Sequence, residues 1–165
     1  MKGLESIMEK RPLKTVGESR TEQIQIVLHG HINGAGRLFG GRLLEWIDVV
    51  AAVVARRHSR RDVTTVAIDN LEFKAAAHVN DTLLLVGCIT WVGTTSMEVR
   101  VDTFVEDLAG GKTLINRAYL VLVAIDENEV PAPVPGLYLV TPEEKAEWEA
   151  GEERSAQRRE RRAKP

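Results

Sequence analysis

The segment RLLEWIDVVAAVVARRH, Arg42 to His58, decides the reading of this 165-residue chain. It is too long for one buried strand and contains neither Gly nor Pro. Between Leu43 and Ala55 it is apolar on nearly every side, so it reads as a helix that must be buried. Immediately before it, HINGAGRLFGG (residues 31–41) carries four glycines in eleven residues and reads as a loop. Earlier still, EQIQIVLH (Glu22 to His29) is short, rich in β-branched residues and begins with alternation, the signature of a strand. After the helix the period changes to two. Val63 to Phe73, Thr82 to Trp91, Ser96 to Glu106 and Thr113 to Asp126 each read as strands. The third is clearest, with Met97, Val99, Val101 and Val105 on one face and Glu98, Arg100, Asp102 and Glu106 mostly on the other. The connections VGTT, EDLAGG and AHVND are short and turn-like, which predicts an antiparallel meander. One early helix with many strands and no alternation predicts an α+β fold, an antiparallel β-sheet wrapped around one long buried helix. One face of such a sheet stays open unless a second copy or other elements cover it, so an oligomer is expected.

Outward from this centre the chain is polar and punctuated. Residues 1–18 show no sustained period and hold Gly3, Pro12 and Gly17, so they read as an arm that orders by packing on something else. The domain proper is expected over 19–139, with a charged helical tail at 140–165. PAPVP (Pro131 to Pro135) ends the strand region, and Thr141-Pro142-Glu143-Glu144 has the form of a helix start: an N-cap Thr, Pro at the first position and Glu at the third. Glu143, Glu144, Glu147 and Glu149 come early in this helix and Arg154, Arg158, Arg159, Arg161 and Arg162 late, matching the macrodipole. A solvated helix held by charge pairs is the first expectation for it, and a basic end that contacts phosphate or a partner is the second.

Composition bounds the function. Apolar residues make up 44% and charged residues 28%, and 22 Lys and Arg against 24 Asp and Glu leave a formal charge of −2. That balance belongs to a chain that folds in water and argues against nucleic acid as a partner. The one cysteine, Cys88, can form neither an intrachain disulfide nor a thiolate metal cluster, which fits a reducing compartment. The charged N-terminus and the short apolar runs predict no secretory leader and no membrane span, hence a cytoplasmic protein.

The glycine loop does not make a dinucleotide site: Gly34-Ala35-Gly36 would need a third glycine where Phe39 stands. Gly40 and Gly41, directly ahead of the helix, put uncovered amides and the positive dipole end where no side chain blocks approach, a place that would stabilise a carbonyl oxygen gaining negative charge. Equally, two glycines can serve only a tight turn and close packing. Asp48, about two turns into the helix among Ile47, Val49 and Val50, suits a general base or nucleophile if it is desolvated. Against that, Arg42, Glu45, Asp48 and Arg56 fall roughly on one stripe, which an ordinary wet face would also give. Arg42 and Glu45 then form a surface pair, and Glu45 competes with Asp48 for any acid/base role. His29, His31, His58 and His78 lack a metal-ligand spacing and read as loop or core histidines.

Taken together, Asn33-Gly34-Ala35-Gly36-Arg37-Leu38-Phe39-Gly40-Gly41 followed by Leu44, Trp46, Ile47 and Asp48 resembles the acyl-CoA thioesterase family of the hotdog fold, in its acyl-CoA hydrolase branch. The likeness continues through Val63 to Phe73, through Val92 to Val99, and into Val123 to Asp126 and Pro133 to Pro135, about residues 20–137 in all. It implies the hydrolysis of acyl-CoA thioesters to carboxylic acid and coenzyme A, with coenzyme A as part of the substrate and no cofactor or metal. It also implies that Asp48 is the catalytic helical carboxylate and Asn33 the active-site Asn, supplied across a dimer interface. Gly40 and Gly41 would polarise the thioester carbonyl, and Gly93-Thr94-Thr95-Ser96 would lie near bound coenzyme A. The implied partner is a second copy of the chain, with the dimer as minimal unit and a trimer of dimers, a homohexamer, as the common assembly. The pattern departs at Phe73-Lys74-Ala75-Ala76 and at Asn80-Asp81, both in a connection between strands, and at Ala35. Two rival classes remain: a hotdog enoyl-CoA hydratase or dehydratase, for which the helix supplies no His before His58, and a non-catalytic acyl-CoA-binding protein, against which Asn33 and Asp48 together argue.

Overall fold

The computed structural model describes residues 11–164. Its elements are β1 (Leu13–Thr15), β2 (Thr21–Ile26), α1 (Gly40–Ser59), β3 (Asp62–Phe73), β4 (Thr82–Val92), β5 (Ser96–Glu106), β6 (Lys112–Ile125), β7 (Gly136–Tyr138) and α2 (Pro142–Ala163). Five strands form one antiparallel sheet in the order β2-β4-β5-β6-β3, and β1 pairs in parallel with β7. The predicted α+β fold of one antiparallel sheet on one long helix is the fold found.

Leu43, Trp46, Ile47, Val50, Ala51, Val54, Ala55 and His58 recur at helical spacing and are buried, so α1 lies lengthwise on the sheet. The sheet's inner face meets it with Leu83, Leu85, Ile89, Met97, Val99, Val101, Leu120 and Leu122, all at most 1% exposed. At Gly87 the approach is so close that a Cβ would stand 2.7 Å from Val50 and 2.9 Å from Val54. The helix ends with Arg60 in the left-handed region (φ 57°), its N–H bonded to the Arg56 carbonyl. Lys14 from the N-terminal segment donates to the carbonyls of Arg57 at 2.6 Å and His58 at 3.2 Å.

Three expectations are corrected. First, α1 is not buried all round: Val49 is 51% exposed, and Ala52 and Val53 are half-buried, because one sheet can cover only one side of a helix. Second, the four later strands are not a simple meander. β4, β5 and β6 follow one another, but β3 pairs with β6 at the far edge. The β3–β4 connection therefore crosses the end of the sheet under the start of α1, held by Leu38 N–H to Ala77 O and by the Arg37–His78 bridge. Third, α2 keeps the expected charge pairs but is solvated on one side only: its other side, with Gly151, Ser155 and Arg158 buried, packs on the outer face of the sheet. Glu98 is fully buried, Asp102 is 6% and Arg158 8% exposed.

The start of α2 is as read from its sequence: Glu144 N–H donates to Thr141 Oγ1 at 3.1 Å and Thr141 N–H to the Glu144 carboxylate at 3.3 Å. Gly151 lets the helix settle on β4, since a Cβ there would lie 2.7 Å from the Trp91 Cβ. Of the expected arm, residues 1–10 lie outside the described residues; Arg11 to Glu18 contain β1 and a 3-10 turn whose Val16 joins the core. No described helix is long and apolar enough to cross a membrane.

Candidate active site

Asp48 sits on the uncovered side of α1, half-buried, and accepts a 2.7 Å hydrogen bond from the hydroxyl of Thr65 on β3. Among the described residues no Lys or Arg reaches it. Glu45, its competitor, is taken up by Arg42 at 3.0 Å on the exposed surface. The helical stripe thus splits into an outer ion pair and an inner carboxylate gripped by the neighbouring strand. Thr65 was not singled out in the sequence: it lies within a run read only as strand, and its contact with Asp48 depends on how β3 folds back along α1.

The amides at the start of α1 are open. The first helical bonds are donated by Arg42 and Leu43 to Phe39 O, and the N–H groups of Gly40 and Gly41 have no acceptor among the described residues. The two glycines differ in their surroundings. A Cβ on Gly40 would meet the Phe73 ring at 3.6 Å, an ordinary contact, whereas one on Gly41 would stand 2.6 Å from the Phe39 ring. Seven residues separate Gly41 from Asp48, which is about 10 Å of helix axis.

Asn33 lies on the exposed loop ahead of α1. Its Oδ1 accepts from Ala35 N–H at 2.9 Å and Arg37 N–H at 3.3 Å, so the side-chain carbonyl shapes the loop and the amide nitrogen is left for other partners. Within the chain it makes no hydrogen bond to Asp48 among the described residues. The Gly93–Ser96 segment is the β4–β5 hairpin turn, closed by Gly93 N–H to Ser96 O at 2.9 Å. Its carbonyls are engaged: Thr94 O accepts from Val134 and Thr95 O from Ala124, while Arg11 donates to Gly93 O. Cross-strand register places Ser96 beside Val123, and Val123 beside Thr64. The hairpin is therefore level with Thr64 and Thr65, two strand spacings or ~10 Å across the sheet.

None of the histidines hydrogen-bonds Asp48 or Thr65 among the described residues, although the His31 carbonyl accepts from Phe39 N–H at 2.8 Å. His31 Nδ1 accepts from Leu28 N–H at 3.0 Å and its ring meets Trp46 edge-on at 5.0 Å. His58 is fully buried and donates through Nε2 to Pro135 O at 2.8 Å; burial pushes its pKa below the ordinary value. Cys88 faces outward under the start of α2, half-buried, and burial raises its thiol pKa.

Exposed apolar side chains lie along the same two elements as the Asp48–Thr65 pair: Val49 on α1, Val66, Ile68 and Phe73 on β3, and Phe39 just ahead of α1 are 40–57% exposed. Such a grouping marks an interaction surface.

The family model of the thioesterase superfamily matches residues 35–111. An uncharacterized acyl-CoA thioester hydrolase of Bacillus subtilis, YkhA, is 36% identical over 138 residues, 83% of this chain and 80% of its own length. An apo-hexameric acyl-CoA thioesterase of known structure is 39% identical, with a TM-score of 0.88 over 93% of this chain and 99% of its own. An acyl-CoA hydrolase from Staphylococcus aureus, solved with butyryl-CoA, coenzyme A and coenzyme A disulfide, is 32% identical, with a TM-score of 0.87 over 92% and 93% of the two chains. That protein has also been solved with one Asn, one Asp and one Thr each changed to Ala. In its chain the three are 15 and 17 residues apart. Asn33, Asp48 and Thr65 have the same two spacings here. With its five-stranded sheet laid on one helix and this degree of identity along most of its length, the chain belongs to the acyl-CoA thioester hydrolases of the hotdog thioesterase superfamily and is an acyl-CoA thioesterase.

Proposed function

We propose that the protein hydrolyses acyl-CoA thioesters at a site shared by two copies of the chain, with Asp48 as the reacting carboxylate. The observation that carries this reading is the Asp48–Thr65 pair on the uncovered side of α1, on the two elements that also carry exposed Val49, Val66, Ile68 and Phe73. Asp48 either takes a proton from the attacking water or attacks the thioester carbonyl itself. In the first case the water oxygen adds to the carbonyl and the proton held by Asp48 passes to the departing sulfur; in the second Asp48 displaces the thiolate to form an acyl anhydride, which a water then hydrolyses, regenerating the carboxylate and supplying the proton of the thiol. In both the carbonyl oxygen becomes negative, coenzyme A leaves as its thiol, and a carboxylic acid remains. Thr65 holds Asp48 in one orientation, and Gly40 and Gly41 supply amides for the oxyanion.

A reacting carbonyl must lie about 3 Å from both groups. The ~10 Å of helix between Gly41 and Asp48 prevents one chain from supplying both. The amides of one copy therefore serve the Asp48 of the other, with two α1 helices antiparallel and the β3 edges adjacent. Asn33 enters from the amide-bearing copy and positions the water or the carbonyl through its free amide nitrogen. The acyl chain lies along these exposed apolar side chains, and coenzyme A runs toward the Gly93-Thr94-Thr95-Ser96 hairpin. The matching Asn, Asp and Thr spacings in the S. aureus enzyme support this assignment. The hexameric state of a relative 39% identical supports a homohexamer, read here as a trimer of dimers. A reducing, cytoplasmic setting suits the unpaired Cys88.

The test is free-thiol release from a panel of acyl-CoAs by wild type and Asp48→Asn. Loss of about 100-fold or more is expected in the variant, and near-normal turnover would refute the role given to Asp48. An absorbance change with enoyl-CoA and no thiol release would indicate a hydratase instead.

A further inference from the structure

The outer face of the sheet carries a polar network that the chemistry above does not use, and it ends on the strand that holds Thr65. Glu98 on β5 is fully buried. It accepts from Thr90 Oγ1 at 2.7 Å and from Arg154 of α2 through two nitrogens, at 3.0 and 2.8 Å. The next arginine along α2, Arg158, is 8% exposed, and one nitrogen, Nη1, reaches both Glu98 at 3.2 Å and Asp69 of β3 at 2.9 Å. Arg158 thereby ties β5 to β3 across the intervening β6.

β3 needs such a tie. It is an edge strand with one neighbour, and its pairing with β6 shifts between Thr65 and Ala67 and again between Asp69 and Glu72. Asn70, in the second irregularity, has a φ of 48°. Only Ala67, Ile68 and Asp69 pair between the two breaks. Thr65 stands directly before the first break, with its hydroxyl on the inner face against Asp48, while Asp69 presents its carboxylate to α2 on the outer face. Thr65 pairs with Leu122 at the end of the continuous Asp62–Thr65 register, so the short stretch beyond the break bears on it through the bulge at Val66. Arg161 also reaches Asp69, at 3.4 Å, but its side chain is 66% exposed and makes no link to Glu98 among the described residues.

We infer that Arg158 is a positioning residue for thioester hydrolysis: through Asp69 it fixes the irregular edge strand so that Thr65 orients Asp48. This rests on the proposed roles of Asp48 and Thr65. Removing Arg158 leaves Glu98 with Arg154 and Thr90, so α2 stays docked while β3 keeps only the exposed Arg161–Asp69 contact.

The test is steady-state thiol release by Arg158→Met, Thr65→Val, the double variant, Arg158→Lys and Asp69→Asn. In Arg158→Met, kcat should fall about 3- to 10-fold, the range for a network residue that does not touch substrate, with KM within about twofold. In the Thr65→Val background the same change should have no further effect, because both act on one contact. Arg158→Lys, which keeps a donor and a charge, should recover most of the loss, and Asp69→Asn should reproduce the Arg158→Met phenotype from the other partner. Unchanged kcat in Arg158→Met or Asp69→Asn, or multiplicative losses in the double variant, would overturn the inference. Failure of the underlying reading shows separately, as activity retained in Asp48→Asn. If Arg158→Met does not fold, Asp69→Asn and its double with Thr65→Val decide the matter in the same way.

Discussion

Replacing Glu98 with Ala should be the most destabilising single change on the outer face, and its size follows from the contacts. The carboxylate is fully buried and answers the guanidinium groups of Arg154 and Arg158, whose side chains are 16% and 9% exposed. Removing one partner of a buried ion pair costs about 3–5 kcal/mol, mainly through the charge left uncompensated. Here the low end applies, because each arginine keeps another anion: Arg154 has Glu147 at 3.7 Å and the Tyr119 ring at 3.9 Å, and Arg158 has Asp69 at 2.9 Å. A loss of about 3 kcal/mol in a chain of this length corresponds to a fall in Tm of roughly 6–12 °C. Glu98→Gln, which keeps the shape and one acceptor, should lose about half as much. The assay is thermal unfolding at matched protein concentration, since assembly also contributes to stability. A Tm for Glu98→Ala within 2 °C of wild type would show that the network does not hold α2 on the sheet.

Gly87→Ala should destabilise the fold by about 1–3 kcal/mol, because its Cβ would press on Val50 and Val54; unfolding at or above the wild-type Tm would contradict the close helix–sheet packing. The neighbouring glycines should separate. Gly40→Ala has room and should unfold like wild type, whereas Gly41→Ala must displace the Phe39 ring and should lose activity more than stability, measured by thiol release beside Tm. His58 gives a pH signature. Its folded pKa lies below its ordinary 6.5, so the unfolded chain binds the proton more readily, and stability falls as pH drops below about 6.5 until the folded value is passed. In His58→Gln this part of the Tm–pH profile should flatten; an unchanged slope would assign the effect to other groups.

The helix and the strands were legible because each carries its own period: Leu43 to Ala55 for the helix, Met97 to Val105 for the alternating strand. The cap at Thr141 was equally local. What escaped the sequence were relations between distant residues. The place of β3 beside β6 depends on a connection that crosses under α1. The burial of Glu98 depends on arginines 56 and 60 positions later. Alternation correctly placed Glu98 and Asp102 on the outer face but could not tell that a helix covers it. The site was half legible in the same sense. Asp48, Asn33 and the glycines stood out by residue type and motif. Thr65 did not, because nothing local distinguishes a strand threonine that grips a carboxylate from one that faces solvent.

The central claim, a site completed by two copies, can be tested by pairing two inactive variants. Asp48→Asn removes the carboxylate; Asn33→Asp keeps the acceptor that shapes the loop and removes the amide donor. If each site takes Asp48 from one copy and Asn33 from the other, a mixed dimer regains one intact site. Co-expression at equal ratio should then restore about a quarter of wild-type thiol release, because half of the randomly paired dimers are mixed and each holds one good site of two. Activity that stays at the level of the single variants in a verified mixed assembly would contradict the shared site.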